Sequence, residues 1–309
     1  MGFDLRCILC YILMQRPHPG LTPTRTPRME QTLSSAIATS SQGTWQAMQA
    51  HRPLWARLAA TPRTLLLDYD GTLAPFVPQG MRAPPYPGVP DLVRRLMRRP
   101  DTHVVLVSGR PAELVASLMG LDPAPEIWGC HGLEHLNARG ELTRLPLAPG
   151  LQEGLDDAEA WAEARRHAGY LEHKPGCLAM HVRGLPRAKA DFLLTDTAAA
   201  WQEIAARAPL ELHAFDGGLE LRPRGVHKGH AVATMRKDAS PERVFLYLGD
   251  DKTDEDAFQA LGPRDVAVLV RGEHRPTVAA WWLRPPAELL AFLQALLDLP
   301  EGINKGESP

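Results

Sequence analysis

The sequence predicts an α/β protein whose main part is a doubly wound parallel sheet and whose middle part is an inserted α+β domain. Short apolar runs alternate with helical patterns along most of the 309 residues, and this alternation is typical of parallel strands joined by right-handed crossovers. Several runs end in acidic or hydroxyl residues, as expected where an open α/β sheet binds its ligand. Between about residues 141 and 222, neighbouring strands and two helices replace the alternation.

The elements of the main part follow in order along the chain. Residues 44–60 have apolar positions at helical spacing, interrupted at Pro53, and lead into the first strand. Continuous apolar runs predict strands covered on both faces, at residues 65–67, 103–107, 126–130, 244–248 and 266–270. Helices are predicted between or beside these strands, at residues 90–99, 109–120 and 255–261.

The middle part is expected to form a cap over the main part. Its helical patterns cover residues 151–169 and 190–207, and its strand patterns cover residues 170–174, 177–184, 210–215 and 218–223. Asp216, Gly217 and Gly218 join the last two strands, and such dipeptides favour the tight turn of a hairpin. We therefore predict a catalytic core from residues 44–140 and 223–300, and a cap from residues 141–222.

The two ends of the chain are expected to lie outside this fold. The apolar stretch CILCYILM is too short to span a bilayer, and the Pro-, Thr- and Arg-rich stretch after it is typical of disorder. Met29 begins a sequence that resembles an ordinary protein start. Residues 1–43 are thus interpreted as a disordered or over-extended terminus, with a targeting role left open, and residues 301–309 as a frayed tail.

Composition argues against several classes of partner. Apolar residues make up 44% and charged residues 23% of the chain, and the net charge is −2, as in a soluble globular protein without a strongly basic surface. Cys7 and Cys10 lack a second pair at zinc-site spacing, and Cys130 and Cys177 are interpreted as buried apolar residues. We expect a cytoplasmic monomer that binds a small molecule and neither nucleic acid nor membrane.

The strongest local motif is DYDGTL, which directly follows the first apolar strand. Asp68 and Asp70 are two carboxylates one residue apart at a strand end before a glycine turn. Asp68 could attack phosphorus and bind a metal ion, while Asp70 could protonate the leaving oxygen and then deprotonate water. A solvated turn is the alternative for an isolated pair of this kind.

Two later positions supply groups suited to a phosphoryl oxygen. Ser108 ends the run HVVLV before a predicted helix, where a hydroxyl and backbone N–H groups can bind an anion or simply cap the helix. Lys228 begins another predicted helix, and a cation there opposes the helix dipole unless an anionic partner compensates it.

A third motif, GDDKTDEDAF, concentrates acid at the end of the run VFLYL. Asp250, Asp251, Asp254, Glu255 and Asp256 would repel one another unless a cation binds or the side chains reach solvent. Oxygen ligands and a phosphate partner favour Mg²⁺ over zinc. An acidic helix start accounts for Glu255 and Asp256, but it accounts poorly for Asp250.

The order of these four groups resembles the haloacid dehalogenase superfamily of aspartyl-phosphate phosphotransferases. The resemblance implies a Rossmann-like core in which Asp68 forms a phosphoaspartate and Asp70 is the acid and base. It implies Mg²⁺ held by Asp68, the Asp70 carbonyl and Asp250. The remaining roles it implies are support of that site by Asp251 and Asp254, and binding of the phosphoryl group by Ser108 and Lys228.

A narrower resemblance covers roughly residues 60–290. The set SGR, HGLE, E-x-K…H-x-R, GLELRP, HKG and GDDKTDEDAF is similar to the trehalose-6-phosphate phosphatase family, in its form without a fused synthase. That likeness implies hydrolysis of trehalose 6-phosphate, the last step of trehalose biosynthesis, under a closing cap. The implied substrate-binding residues are Arg110, His131, Glu134, Lys174, Arg183, Glu220 and Arg222. The proline-rich loop at residues 74–90 departs from the family pattern.

Three alternatives remain open at this point. A related phosphatase acting on a glycosyl-phosphoglycerate, sucrose phosphate or a hexose phosphate would share the catalytic groups and differ in cap contacts. A phosphomutase would pass the phosphoryl group to a sugar instead of water. A sugar-phosphate sensor would bind without turnover, although such a binder has little need of both Asp68 and Asp70. Ordinary cross-strand ion pairs could also explain the polar positions of the cap.

Overall fold

The chain folds around a nine-stranded sheet in the computed structural model, which describes residues 43–76 and 83–301. The strand order is β1-β13-β12-β11-β2-β3-β4-β5-β6. All neighbours are parallel except β4–β5 and β5–β6, which are antiparallel. The strands are β1 (Gly43–Thr44), β2 (Arg63–Leu67), β3 (Thr102–Val107), β4 (Glu126–Gly129), β5 (Glu134–Leu136), β6 (Leu142–Arg144), β11 (Val244–Gly249), β12 (Val266–Val270) and β13 (Trp281–Leu283).

Seven helices accompany this sheet in the part of the chain that is described. Pro53 lies in the first turn of α2, where its missing N–H leaves no helical hydrogen bond unmade. Helix α4 ends at Gly120, whose φ of +59° suits glycine at a left-handed helix end. The helices are α1 (Trp45–Ala50), α2 (Arg52–Ala60), α3 (Val89–Met97), α4 (Ala112–Met119), α7 (Lys228–Lys237), α8 (Glu255–Ala260) and α9 (Ala287–Leu297).

Hydrophobic clusters cover the sheet on both faces. Leu65 and Leu67 pack into a cluster that includes buried residues of α3, α4 and α9. Leu66 points to the other face and packs with residues of α7 and α8. The continuous apolar strands of the sequence therefore serve two cores at once, as expected of a doubly wound sheet.

A second, antiparallel sheet forms the cap. Its order is β7-β8-β10-β9, with strands β7 (Leu171–Lys174), β8 (Cys177–His181), β9 (Leu210–Phe215) and β10 (Gly218–Pro223). Helices α5 (Leu151–Ala164) and α6 (Arg187–Arg207) pack against this sheet through a cluster around Trp201. The predicted hairpin is present, since Phe215 pairs with Gly218 across the turn.

Several details differ from the sequence prediction. Residue 43 was assigned to the N-terminal extension, but Gly43 pairs with Trp281 at the edge of the large sheet. The cap was expected to begin at residue 141, but β6 pairs with β5 in the large sheet. Strand β13 and helix α9 were not predicted. Residues 1–42, with Cys7 and Cys10, and residues 77–82 and 302–309 lie outside the described part.

Cys130 and Cys177 are free and buried, as predicted. Among the described helices, none combines the length and the apolar content needed to cross a bilayer.

Candidate active site

The centre of the site is an ion pair between Asp68 and Lys228. Asp68 follows β2, and Lys228 is the first residue of α7. The Lys228 ammonium donates to Asp68 Oδ1 at 2.6 Å and to Asp254 Oδ1 at 2.7 Å. Lys228 is 3% exposed, and its two carboxylate partners raise its pKa against the opposing effect of burial. These anions explain why a cation is tolerated at a helix start.

Asp254 organises the site and has little capacity left for a ligand. Its Oδ1 also accepts the Tyr247 hydroxyl at 2.8 Å. Its Oδ2 accepts the backbone N–H groups of Asp250 at 2.9 Å and Asp251 at 3.0 Å. Each oxygen already accepts two hydrogen bonds, and those from the N–H groups of Asp250 and Asp251 fix the loop that carries Asp250.

Asp68 and Asp250 present oxygens that suit a cation. Within the described structure, Asp68 Oδ2 and both carboxylate oxygens of Asp250 are buried without a hydrogen bond. Carboxylate oxygens of Asp68, Asp250 and Asp254 all lie within 4.8 Å of one another. Burial raises the pKa of Asp68 to about 7, against the lowering effect of Lys228. Burial and then Asp68 raise the pKa of Asp250 well above its usual value.

This donor set fits a hard divalent cation. Such an ion would add positive charge beside the oxygens of Asp68 and Asp250 that accept no hydrogen bond, and it would favour the ionised forms of both carboxylates. Asp251, predicted as a supporting residue, is held by the N–H of Lys252, which donates to Asp251 Oδ1 at 2.6 Å. Burial, and next Asp216, raise the pKa of Asp251 to about 6.

Gly71 is required by the close approach of the two acidic loops. Its φ is +83°, and a Cβ atom there would lie 2.4 Å from Asp250 Oδ2. A larger residue would therefore strain the backbone and push Asp250 away from Asp68. The glycine of DYDGTL thus permits the spacing that a shared ion needs.

Both carboxylate oxygens of Asp70 are bound by the guanidinium group of Arg110. Arg110 donates from Nε to Asp70 Oδ2 at 2.6 Å and from a terminal nitrogen to Asp70 Oδ1 at 2.7 Å. Ser108 is fully buried at the end of β3, and its Oγ accepts the N–H of Arg110 at 3.1 Å. Helix α4 begins only at Ala112. The hydroxyl therefore orders the SGR turn and does not cap the helix.

A cavity joins these groups to the cap. It contains about 950 Å³ of empty space, part of it open to solvent. The core contributes both acidic loops and Lys228, and the cap contributes the face of its sheet opposite α5 and α6. Its lining includes Asp68, Asp70, Arg110, His131, Glu172, Lys174, His181, Arg183, Glu220, Lys228, Asp250 and Asp251.

Glu220 joins the polar side chains on the cap side of the cavity. It is 1% exposed, and its Oε1 accepts from Lys174 Nζ at 2.9 Å while its Oε2 lies 2.9 Å from His131 Nε2. Burial alone would raise the pKa of Glu220, but His131 and Lys174 lower it well below its usual value. Burial lowers the pKa of His131, so we assign Lys174 as the charged partner and His131 as a neutral donor.

The rim of the cavity carries further polar and aromatic groups. His181 Nε2 lies 2.6 Å from Glu172 Oε2, and Arg183 stacks over Phe76 at 4.4 Å from the ring centre. Phe76 belongs to the core and Arg183 to the cap, so this contact crosses the cavity mouth. Charged and aromatic groups around one opening suit a hydroxyl-rich, anionic ligand.

Two predicted substrate-binding residues lie elsewhere. Glu134 is 1% exposed, and its carboxylate accepts the N–H of Ala112 at 2.9 Å and Arg144 Nε at 2.8 Å. Arg222 donates to Glu211 at 3.0 Å and lies 3.6 Å from Asp256 of α8. Neither side chain lines the cavity described above. Strand alternation predicts which face a residue occupies, but it does not predict what covers that face.

Other residues of the site were missed. Arg271 lies 2.7 Å from Asp216 of the cap hairpin, and Phe76 and Phe215 line the cavity. Arg271 directly follows the run VAVLV, and Asp216 is the first residue of the Asp-Gly-Gly turn, so both belong to or adjoin features that the sequence did reveal. Their pairing depends on how the cap sits on the core, which no local pattern encodes.

Comparison with known proteins places this geometry in a family. A family profile described as trehalose-phosphatase matches residues 66–280. A trehalose-phosphate phosphatase of Mycobacterium ulcerans is 30% identical over 246 residues, which cover 74% of this chain and 60% of that protein. The curated relatives are longer, and the matches span between 20% and 62% of their lengths.

Two solved structures support the fold. The C-terminal domain of Candida albicans trehalose-6-phosphate phosphatase superposes with a TM-score of 0.70 at 25% identity, covering 81% of this chain and 97% of that one. A haloacid dehalogenase-like hydrolase of Bacillus subtilis gives a TM-score of 0.54 at 16% identity, over 75% and 99% of the two chains. The predicted α/β haloacid dehalogenase core is therefore confirmed. The chain belongs to the trehalose-phosphatase family.

Proposed function

We propose that this chain is a Mg²⁺-dependent phosphomonoesterase that hydrolyses trehalose 6-phosphate to trehalose and phosphate, in the cytoplasm. The observation that carries the proposal is the buried Asp68 carboxylate, which keeps one oxygen on Lys228 and the other without a hydrogen bond beside Asp250. A carboxylate with one oxygen fixed by a lysine and the other accepting no hydrogen bond, next to a cation site, is positioned to act as a nucleophile.

Asp68 and Asp250, with the Asp70 carbonyl, would hold the ion. Bound Mg²⁺ would supply positive charge to the phosphoryl oxygens and favour the ionised form of Asp68. Lys228 adds a fixed positive charge in the same buried place, where it stabilises negative charge more strongly than it would in water. Asp254 orients Lys228 and the Asp250 loop through its four hydrogen bonds.

The chemistry then needs two proton transfers by Asp70. An Asp68 oxygen attacks phosphorus, the bond from phosphorus to the sugar oxygen breaks, and protonated Asp70 gives its proton to that oxygen. Water next attacks the phosphoaspartate while Asp70 takes up a proton, which releases phosphate and restores Asp68. Arg110 now occupies both oxygens of Asp70. Each oxygen accepts a single hydrogen bond from Arg110, so each keeps a second lone pair that can carry the transferred proton.

The cap supports a sugar phosphate as the substrate. Glu172, Glu220 and His181 can exchange hydrogen bonds with sugar hydroxyls, and Lys174 and Arg183 add positive charge beside them. The preference for trehalose 6-phosphate rests on the family relationship, whose named members include trehalose-phosphate phosphatases.

Replacement of the nucleophile tests the covalent mechanism. D68N should release phosphate more than about a thousandfold more slowly than the wild type, because an amide cannot form the acyl phosphate. D70N is the matched control: with p-nitrophenyl phosphate, whose leaving group needs no proton, it should still give one burst of nitrophenol per site. Activity retained in D68N, with its fold intact by circular dichroism, refutes Asp68 as the nucleophile.

A further inference from the structure

We propose that Arg271 couples docking of the cap to cation binding, because Asp216 of the cap and Asp250 of the core share its guanidinium group. Asp216 and Arg271 thereby act as positioning residues, outside the set that touches the reacting atoms. The inference rests on the proposed cation site at Asp68 and Asp250, and it concerns a contact that the proposed reaction does not use.

Arg271 lies directly after β12, above the acidic loop of the core. One terminal nitrogen lies 2.7 Å from Asp216 Oδ2. The other lies 3.4 Å from the carbonyl oxygen of Asp250 and 3.8 Å from Asp250 Oδ2. The strong ion pair is thus with the cap, and the weak contact is with the candidate metal ligand.

The cap side of this contact is the turn of the β9–β10 hairpin. The N–H of Asp216 also lies 3.4 Å from Asp251 Oδ2, so this turn contacts the acidic loop directly through its backbone, whereas its carboxylate pairs with Arg271. A nearby cation, Arg275, is engaged differently. It donates to the carbonyl oxygens of Asp250 at 2.9 Å and Asp251 at 2.6 Å and pairs with Glu255.

The position of the hairpin sets the charge that Asp250 experiences. With the hairpin docked, Asp216 balances Arg271 and draws its guanidinium group away from Asp250. With the hairpin undocked, Arg271 loses that partner, and its nearest remaining carboxylate is Asp250. Arg271 would then compete with an incoming cation for the same oxygens. Docking therefore favours cation binding.

The coupling must act in both directions. If docking of the hairpin tightens cation binding by some factor, cation binding favours docking by the same factor. A bound cation occupies Asp250 and leaves Arg271 to Asp216. The cap is consequently held most firmly over a site that already contains its ion, before any sugar phosphate arrives.

A double-mutant cycle on Mg²⁺ affinity tests the shared partner. Titration calorimetry with MgCl₂ alone should show weaker binding by about fivefold in D216N and tighter binding by about fivefold in R271Q, the order of effect that partly exposed ion pairs give. In the double variant, the loss of Asp216 should change the affinity by less than about twofold, because Arg271 is no longer there to compete. Additive effects overturn the proposal, since they would reflect only the separate field of each charge.

Hydrogen exchange supplies a readout that needs no catalysis. Saturating Mg²⁺ should slow exchange of the backbone amides at residues 212–219 about threefold in the wild type and leave it unchanged in R271Q. Equal slowing in both proteins would overturn the coupling. D157N and R94Q are matched controls, because they remove exposed ion pairs of the cap and the core whose residues do not line the cavity. Both should behave as the wild type.

The same measurements separate this inference from the proposed function. If the wild type hydrolyses trehalose 6-phosphate but Mg²⁺ does not slow exchange in the hairpin, the coupling is wrong and the function stands. If Mg²⁺ slows exchange but no phosphate is released from trehalose 6-phosphate, the coupling stands and the function is wrong.

Discussion

Lys228 is the buried cation on which two carboxylates depend, and K228M removes its charge while keeping much of its length. Lys228 donates to Asp68 at 2.6 Å and to Asp254 at 2.7 Å, and all three side chains are at most 4% exposed. Two hydrogen bonds to charged groups contribute about 1.5–3 kcal/mol each. Burial of the methionine recovers about 1–2 kcal/mol. The expected loss in free energy of unfolding is therefore about 1–5 kcal/mol.

Urea denaturation at pH 7 without divalent cations measures this loss. K237M is the matched control, because Lys237 ends the same helix and is exposed; it should lie within about 0.5 kcal/mol of the wild type. Addition of Mg²⁺ should stabilise K228M by more than it stabilises the wild type, since Asp68 then lacks any other positive partner. A loss below about 1 kcal/mol in K228M would refute the view that Lys228 compensates both carboxylates.

Two further predictions concern residues outside the cavity. Burial would raise the pKa of Glu126, but hydrogen bonds from His103 and His135 lower it to about 2. The ionised Glu126 thus stabilises the fold fully when the pH is above 4.5, the ordinary pKa of a glutamate, and this stabilisation is lost as the pH falls toward 2. Between pH 5.5 and 3.5 the wild type should lose about 1 kcal/mol more stability than E126Q, measured by urea denaturation; equal losses would contradict this assignment. R222Q and E134Q should each lower stability by about 1–3 kcal/mol and leave KM unchanged, whereas a tenfold higher KM with wild-type stability would restore them to the substrate site.

The residues that could be predicted from the sequence lie at strand ends. Asp68, Ser108 and Asp250 follow apolar runs, and the parallel sheet brings the carboxyl ends of β2, β3 and β11 to one edge. The physical reason is general, because a strand buried on both faces must end before a polar side chain can reach solvent or a ligand. Lys228 was predicted from an unfavourable position at a helix start, and its two anionic partners account for it.

The residues that could not be predicted depend on which neighbouring element covers them, within the core and the cap and between the two. Glu134 belongs to the motif HGLE, yet its carboxylate accepts the first N–H of α4 and pairs with Arg144. Arg222 lies two residues after Glu220 on β10, so the two side chains share one face of the sheet. Arg222 nevertheless pairs with Glu211 and Asp256 instead of lining the cavity. The pair of Asp216 and Arg271 joins positions 55 residues apart in number (271 less 216), on elements that share no local pattern. Asp216 and Arg271 each lie in or beside a recognisable sequence pattern, but no local pattern predicts how the cap packs on the core.

Phosphate release from a panel of sugar phosphates in the presence of Mg²⁺ tests the central claim most directly. The panel comprises trehalose 6-phosphate, sucrose phosphate, a glycosyl-phosphoglycerate and glucose 6-phosphate, and the measured quantity is kcat/KM for each. Trehalose 6-phosphate should be preferred by at least about tenfold, which corresponds to about 1.4 kcal/mol of transition-state binding. Equal values across the panel, or a preference for another member, would contradict the assignment of trehalose 6-phosphate as the substrate.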